Sequence, residues 1–335
     1  MELGRLPGGT LVMAADKEHG ARLLATADDF VDNQSRFDRQ ARLSLRTEVV
    51  EVTRSMYFDY VASQVMDWSA DEVAALKGIV EAIAGKLEPL DFRLPEVVHL
   101  VKTSGEEEGH AAYTRQTNVI VLPVNMIQSL FTQANFGDPL HAGTSPSYLT
   151  DVVTHELFHL FSKNNADRRW HLYGLVHYEA TGDDVELPNV PWPNADSTVS
   201  LPDSKITNPD TPNLNTFIRM EVSPVSEPGG QTANKPLLPV LLATGPYAGG
   251  VFFDYLDWWF MALVQVDGRW VAELDQDQRP VMYQSTPLMG QYMGLVGKNI
   301  TDELFHPDEI LAQNWVLVAN EPDLTLLSNM ARILR

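Results

Sequence analysis

The sequence contains no cysteine among its 335 residues. This absence excludes disulfide bridges, cysteine nucleophiles and metal sites built from thiolates. Any metal that the chain binds must therefore be held by histidine, aspartate or glutamate. Zinc sites of that composition are more often catalytic than structural, because structural zinc sites rely largely on cysteine.

Positive charge is also scarce, because 24 lysines and arginines stand against 45 aspartates and glutamates, which gives a formal net charge of −21. A surface of this sign repels nucleic-acid phosphates and anionic lipid headgroups. We therefore expect no nucleic-acid partner and no membrane partner. The excess of acids favours solubility, and its field would attract cationic substrates.

Long apolar runs are missing as well. The N-terminus has no charged segment followed by an apolar one, and the apolar residues 11–15 are too few for a signal peptide or a membrane span. The sequence therefore predicts a cytoplasmic protein, unless a leader has been removed. A chain without cysteine is equally compatible with export.

The first half of the chain predicts a helical region followed by a small sheet. Residues 1–95 form the helical N-terminal region, in which Ser69 is typical of the residue that caps a helix start. Residues 96–181 form the core, which opens with β-rich runs at 96–102 and 117–123. Between these runs, Glu106, Glu107 and Glu108 predict a turn with a solvated acidic tip.

The second half predicts a long insertion and a final helix. Residues 182–300 are rich in proline and asparagine at first, which predicts loops with a few strands that close over the core. Asp267-Gly268 lies between two alternating apolar runs and predicts a two-residue hairpin. Residues 301–335 form a C-terminal segment, whose helix begins with Pro307 in its first turn.

The segment 154–160, Thr-His-Glu-Leu-Phe-His-Leu, contains the pattern H-E-x-x-H inside a helix predicted from about 145 to 163. Residues four positions apart lie on one side of a helix, about 6 Å apart along its axis. His155 and His159 can therefore bind one zinc ion, with Glu156 on the adjoining flank. Zinc lowers the pKa of a water that it binds to about 7, and Glu156 would accept the proton. The alternative is a pair of solvated histidines on a polar helix face.

Two imidazoles leave a zinc site incomplete, so the motif requires a third ligand. Asn165 stands where the longer pattern H-E-x-x-H-x-x-G-x-x-H would place a third histidine. His171 and His177 are within reach, but neither has a recognised spacing. A later candidate is the segment 306–315, His-Pro-Asp-Glu-Ile-Leu-Ala-Gln-Asn-Trp.

An HELFH motif followed by a distant helix that bears glutamate resembles the gluzincin branch of the zincin metallopeptidases, the group that includes thermolysin. The segment 306–315 is also similar to uncharacterised bacterial predicted zinc metallopeptidases. The resemblance covers residues 96–165 and 300–320, and it implies that Glu309 is the third ligand. Gln313 then occupies the place of the residue, commonly aspartate, that braces the first histidine. His306 is an alternative third ligand.

The resemblance also implies a hydrogen-bond donor for the negatively charged oxygen of the transition state, usually tyrosine or histidine. We favour Tyr292, because the segment 289–298 leads directly into the helix that carries Glu309. The other candidates are Tyr178, Tyr283, His171 and His177.

Together these features predict an α+β, zincin-like fold with a small mixed sheet packed on the HELFH helix. The predicted function is zinc-dependent hydrolysis of peptide or amide bonds, with a peptide or a small amide as substrate. One alternative is a specialised small-molecule amidohydrolase, which needs a closed pocket. The other is a zincin that has lost catalytic activity and serves for binding. Such a protein would be expected to lose Glu156 first, and this chain retains it.

Overall fold

The computed structural model describes residues 1–45, 51–131, 146–192, 199–224, 230–297, 304–318 and 325–334. Within these ranges the chain is a mixture of helices and β-sheets. None of the described helices is both long enough and apolar enough to cross a lipid bilayer.

The α-helices are distributed along the whole chain. Their bounds are α1 Lys17–Leu24, α2 Asp29–Asn33, α3 Arg36–Arg42, α4 Arg54–Gln64, α5 Ala70–Leu87, α6 Val124–Gln128, α7 Pro146–Asn164, α8 Ala166–Leu175, α9 Ser285–Val296, α10 Pro307–Val318 and α11 Thr325–Ile333.

The β-strands fall into two groups along the chain, six before α6 and six after α8. The first group is β1 Glu2–Arg5, β2 Leu11–Ala14, β3 Val65–Met66, β4 Val97–Thr103, β5 Tyr113–Arg115 and β6 Val119–Pro123. The second group is β7 Tyr178–Ala180, β8 Thr216–Val222, β9 Ala233–Ala243, β10 Leu256–Val266, β11 Arg269–Ala272 and β12 Met282–Gln284.

The chain divides into two compact units, and each unit contains one of the sheets. Unit 1 comprises residues Met1–Val31, Thr53–Leu172 and Leu311–Arg335. Unit 2 comprises residues Asp32–Val52 and Tyr173–Ile310. The division passes through helix α10, whose first turn is assigned to unit 2 and whose remaining residues are assigned to unit 1.

The sheet of unit 1 is mixed. Its strand order is β1-β2-β4-β6-β5, and β3 pairs with β4. Strands β2, β4 and β6 run parallel, whereas β1, β3 and β5 run antiparallel to their neighbours. The central strands are apolar and buried, as expected for parallel strands that are covered on both faces. Helix α7 packs against β5, β6 and α5.

The sheet of unit 2 is antiparallel throughout. Its strand order is β11-β10-β9-β8-β7, and β12 pairs with β10. Strands β9 and β10 have 11 residues each, and they supply much of one hydrophobic core. The core residues from these two strands are Leu238, Val240, Leu242, Met261 and Leu263.

Two local predictions from the sequence are confirmed. Ser69 caps α5 through a capping box, in which its side chain accepts from the N–H of Glu72 and the Glu72 carboxylate accepts from the N–H of Ser69. Asp267 and Gly268 adopt positive φ angles of 51° and 81°, and the strands on either side pair as a hairpin. Both features depend on residues that are adjacent in the sequence, which is why a local pattern predicts them.

The N-terminal region is mostly helical, but it also contributes strands β1, β2 and β3, which the helical interpretation of residues 1–95 omits. Pro7, Gly8 and Gly9 form the turn between β1 and β2, and both glycines have positive φ angles. A Pro-Gly-Gly run is the local signal that indicates this hairpin.

The proline-rich part of the insertion contains loops and a few strands, as predicted, and β9 is one of these strands. Pro236 and Pro239 lie inside this strand, which pairs with β8 on one side and β10 on the other. Proline donates no hydrogen bond and normally avoids a central strand. Here the burial of Leu237 and Leu238 between the prolines, and of Val240 just after them, stabilises the strand despite the lost donors.

The prediction of a solvated acidic tip between β4 and β5 is wrong. Glu107 and Glu108 are buried, and only Glu106 is exposed. Gly105 and Gly109, both with positive φ, reverse the chain on either side of a short 3-10 helix that holds the three glutamates. The Tyr113 hydroxyl donates to Oε1 of Glu107 over 3.3 Å. Burial raises the pKa of Glu107.

Candidate metal centre

Helix α7 carries the HELFH motif and is buried along most of its length. His155, Glu156 and His159 are all buried, so the alternative of solvated histidines is wrong. The apolar residues of the same helix are buried as well, namely Val153, Leu157, Leu160 and Phe161. A helix that is covered on all sides belongs to the interior of its unit, and polar residues there need partners.

The end of α7 is fixed by side-chain hydrogen bonds within unit 1. Asn164 donates to the carbonyls of Leu160 and Thr117, each over 2.7 Å. Lys163 donates to the Thr114 hydroxyl of β5 over 2.6 Å. Helix α7 ends at Asn164, next to the end predicted at about residue 163, and it is joined to the edge strand β5.

The two imidazoles of the motif converge. The Nε2 atoms of His155 and His159 lie 2.9 Å apart, and the rings are inclined at 72°. Two nitrogen ligands of a tetrahedral zinc ion, each at 2.0–2.1 Å from the metal, lie about 3.3 Å apart. The spacing predicted from a helix with residues at i and i+4 is thus realised, with both nitrogens directed at one point.

Helix α10 carries Glu309 in its first turn and is anchored on α7 by stacked rings. Trp315 stacks on Phe92 with ring centroids 4.6 Å apart, and Phe92 stacks in turn on Phe161 of α7 at 4.5 Å. Trp315 also lies 6.3 Å from Phe158, the neighbour of His159. All four aromatic residues belong to unit 1, so the helix that carries Glu309 has a fixed place beside the motif.

The structure brings the three predicted ligands together. Ligand atoms of His155, His159 and Glu309 all lie within 4.8 Å of one another, and all three residues are buried. Two imidazoles, one carboxylate and no thiolate form a donor set that zinc commonly accepts in catalytic sites. A divalent cation would also offset the negative charge of buried carboxylates, which is otherwise costly. The residues therefore fit a zinc ion.

The neighbours of Glu309 have structural partners. Asp308 is buried and accepts a hydrogen bond from the Tyr173 hydroxyl over 2.8 Å, so it is not an ordinary solvated acid of a first helical turn. His306 precedes the helix, and its Nδ1 accepts from the N–H of Asp308 over 3.1 Å. Among the described residues His306 belongs to no group of three metal-ligand side chains, whereas Glu309 does.

The other histidine and glutamine candidates lie apart from this set. His171 is exposed, with Nδ1 2.8 Å from the Asp167 carbonyl, and His177 is exposed as well. Neither belongs to a group of potential metal ligands among the described residues. Gln313, in the position that the resemblance assigns to a brace, makes no hydrogen bond to a described residue.

Tyr292 is buried in unit 2 and is held by two oxygen partners. Its hydroxyl donates to the carbonyl of Leu304, and the hydroxyls of Tyr292 and Tyr178 lie 3.0 Å apart. Burial raises the pKa of both tyrosines, so both hydroxyls remain protonated at neutral pH. The bond to Leu304 fixes the segment just before α10. The role of Tyr292 as an oxyanion donor stays a prediction.

Two residues of the loop after Lys205 lie at the site although the sequence did not predict them as site residues. Asn208 donates from Nδ2 to Oε1 of Glu309 over 2.6 Å. Asp210 belongs to a second set, with Glu156 and His159, whose ligand atoms also lie within 4.8 Å of one another. The sequence Asn-Pro-Asp reads as an ordinary turn, so no local signal separates these residues from other turns.

Comparisons with known proteins give no further assignment, since no family model, no curated protein and no solved structure matches the chain.

Proposed function

We propose that this chain is a zinc-dependent hydrolase of the zincin type that cleaves peptide or amide bonds. The observation that carries the proposal is the buried set of His155, His159 and Glu309, with Glu156 beside the first histidine in α7. The absence of thiolates from this set favours a catalytic site over a structural one. The resemblance to gluzincins rests on the same four residues.

Each residue of the set has a defined part in such a reaction. His155, His159 and Glu309 would hold the metal, which would act as a Lewis acid and lower the pKa of a bound water. Glu156 accepts a proton at its carboxylate and returns it to the leaving amine. Its burial keeps bulk water away from this proton transfer and strengthens electrostatic interactions around the carboxylate.

A peptide is the first candidate substrate, because a helix with the pattern H-E-x-x-H is typical of metalloproteases, in which the glutamate acts as general base. Strand β5, at the end of the unit 1 sheet, packs against α7, which carries the motif. The three residues of β5 are buried, so this strand supports α7 and does not offer an open edge to a substrate.

A small-molecule amidohydrolase is the second candidate, because unit 2 contains a pocket that reaches the hydrogen-bond partner of Glu309. The pocket encloses about 420 Å³ of empty space, part of it open to solvent, and Asn208 and His306 are among its lining residues. The two candidates differ in the length of the best substrate.

The test of the proposal is the variant Glu156→Gln. A general base that is not a ligand is not needed for zinc affinity, so the variant should keep its zinc and lose turnover by about 100-fold to 10,000-fold. Zinc content is measured by elemental analysis, and turnover with a peptide library and a panel of N-acyl amino acids. His155→Ala serves as the control that loses both. A Glu156→Gln variant that loses zinc as completely as His155→Ala would refute the assigned role.

A further inference from the structure

Asn208 holds the carboxylate of Glu309 through a fixed amide. Its Nδ2 donates to Oε1 of Glu309 over 2.6 Å, and its Oδ1 accepts from the N–H of Asp210 over 2.8 Å. Because an N–H group requires an acceptor, the second bond sets the orientation of the amide. The NH₂ group must then face Glu309. This carboxylate is therefore held in one orientation by a residue 101 positions away in the chain.

The loop that carries Asn208 is itself held by α3. Thr207 donates from its backbone N–H to Oδ1 of Asp38 over 3.0 Å and from its hydroxyl to Oδ2 over 2.7 Å. The Thr207 carbonyl accepts from Nη2 of Arg42 over 2.8 Å. Asp38 and Arg42 also form an ion pair at 2.6 Å, and all three residues are buried.

This network is well suited to fix a backbone position. Each carboxylate oxygen of Asp38 accepts a hydrogen bond from Thr207, and the charge of Asp38 is balanced by Arg42. Buried charge-assisted hydrogen bonds of this kind are stronger than neutral ones. The backbone one residue before Asn208 can therefore move little, and the amide of Asn208 starts from a defined place.

We propose that Asn208 is a positioning residue for Glu309, held in place by the buried pair Asp38–Arg42 through Thr207. The inference rests on the proposed function, because it assigns Glu309 to the metal. Its content is additional: the third ligand is oriented by an amide from another part of the chain. Groups that hydrogen-bond to metal ligands in this way typically contribute 10-fold to 100-fold to metal affinity.

The test compares two serine substitutions in the same loop. In Asn208→Ser the hydroxyl can still accept from the N–H of Asp210, but it is too short to reach Glu309. The matched control is Asn213→Ser, since the Asn213 amide donates over 2.9 Å to the carboxylate of Asp184, which belongs to no group of potential metal ligands among the described residues. Asn208→Ala is the second variant at the same position.

Metal binding is measured in two ways, and neither requires activity. The zinc dissociation constant is determined by competition with a chromophoric chelator, and the visible absorption spectrum is recorded with Co²⁺ in place of zinc. We expect Asn208→Ser to raise the dissociation constant about 10-fold to 100-fold and to change the Co²⁺ spectrum. Asn213→Ser should match the wild type in both measurements.

A double-mutant cycle separates positioning from a general loss of stability. In a Glu309→Ala background, Asn208→Ser should change zinc affinity by less than about twofold, because the carboxylate that it positions is gone. Full additivity of the two substitutions would overturn the inference. So would wild-type zinc affinity and an unchanged Co²⁺ spectrum in both Asn208→Ser and Asn208→Ala.

Failure of the proposed function gives a different result. A wild-type protein that binds zinc but hydrolyses neither peptides nor small amides would refute the enzymatic proposal, and the zinc data would still decide the role of Asn208. A wild-type protein that binds neither zinc nor Co²⁺ would overturn both.

Discussion

Asp308 and Glu309 are neighbouring acids in the first turn of α10, yet their partners differ. Glu309 accepts from Asn208 and belongs to the set with His155 and His159. Asp308 accepts from the Tyr173 hydroxyl. Because both side chains are buried, each substitution should have an effect. We expect substitution of Glu309 to change zinc affinity and substitution of Asp308 to change the free energy of unfolding.

The first residue-scale prediction separates these two properties. Glu309→Ala should weaken zinc binding by 100-fold or more, on the order of 3 kcal/mol, because one of the three proposed protein ligands is lost. Asp308→Asn should leave zinc affinity within about fivefold. It should lower the free energy of unfolding by about 1 kcal/mol, because the hydrogen bond from Tyr173 is then made to a neutral amide oxygen and not to a carboxylate. Chelator competition and urea unfolding measure the two effects. If Asp308→Asn empties the site and Glu309→Ala does not, the ligand assignment is wrong.

A second prediction concerns Tyr292, whose hydroxyl bonds to Leu304 and Tyr178. Tyr292→Phe should lower the free energy of unfolding by about 1–3 kcal/mol, because the Leu304 carbonyl loses a buried partner. If the hydroxyl also stabilises the transition state, kcat should fall about 100-fold while KM stays nearly constant.

The control for Tyr292 is Tyr178→Phe, which removes the other hydroxyl of the buried pair. It leaves the bond from Tyr292 to Leu304 in place, so it should lower the free energy of unfolding less than Tyr292→Phe does and should leave kcat unchanged. A Tyr292→Phe enzyme with wild-type kcat, measured with the best substrate of the peptide library, would leave Tyr292 with a structural role only.

At the scale of elements, the site depends on a few supports that hold α7, α10 and the loop of Asn208. Stacked rings of Phe92, Phe161 and Trp315 anchor α10 on α7 within unit 1. The Asp38–Arg42 pair of α3 fixes the loop within unit 2. Aromatic packing and buried ion pairs both resist small displacements, which suits elements that must hold ligand atoms in place.

The turn between β4 and β5 allows a prediction about pH. Burial raises the pKa of Glu107 above its ordinary value of 4.5, so folding favours the protonated carboxyl. The contribution of this carboxyl to stability is therefore full at a pH below its pKa in the unfolded chain. It is lost as the pH rises through its pKa in the folded protein. Glu107→Gln cannot ionise, and its amide oxygen can still accept from Tyr113. The variant should therefore unfold at a higher urea concentration than the wild type at pH 7.

The advantage of Glu107→Gln should shrink as the pH is lowered towards 4.5, where the wild-type carboxyl is increasingly protonated. Urea unfolding at several pH values between 4.5 and 8 measures the trend. Glu106→Gln, on the exposed first position of the same turn, is the matched control for the loss of one carboxylate. An advantage that is constant across this range would contradict the assignment to Glu107.

At the scale of the whole molecule, each unit is assembled from separate stretches of chain. Unit 1 takes three stretches, and unit 2 takes Asp32–Val52 together with Tyr173–Ile310. The predicted segments 1–95, 96–181, 182–300 and 301–335 follow the chain and do not reproduce this division. A change of composition along the sequence marks where a pattern changes, but not which stretches pack together.

The prediction for the whole molecule is that the purified protein carries one zinc ion per chain. Ligands that bind only the folded state stabilise it, and free zinc at 1,000 times its dissociation constant would contribute about 4 kcal/mol. Removal of zinc with a chelator should therefore lower the melting temperature, and added zinc should restore it. Elemental analysis and scanning calorimetry provide the readings. Metal content that remains far below one per chain after zinc supplementation would contradict the prediction.

The sequence by itself determined the features whose partners are close along the chain. The i, i+4 spacing of His155 and His159 places both imidazoles on one side of any helix that contains them, and Ser69 and Asp267-Gly268 fix a cap and a turn in the same way. The resemblance to gluzincins then implied that Glu309 is the third ligand. No local pattern distinguishes Glu309 from Asp308 beside it.

Only the tertiary structure decided what surrounds these residues. Burial of Glu107 and Asp308, the strand through Pro236 and Pro239, and the bond from Asn208 to Glu309 all depend on contacts between distant parts of the chain. The free energy of such contacts comes from how much surface the whole unit buries and which polar groups it must satisfy. The buried surface and the set of buried polar groups exist only in the folded unit. The periodicity and spacing of a short segment therefore cannot predict them.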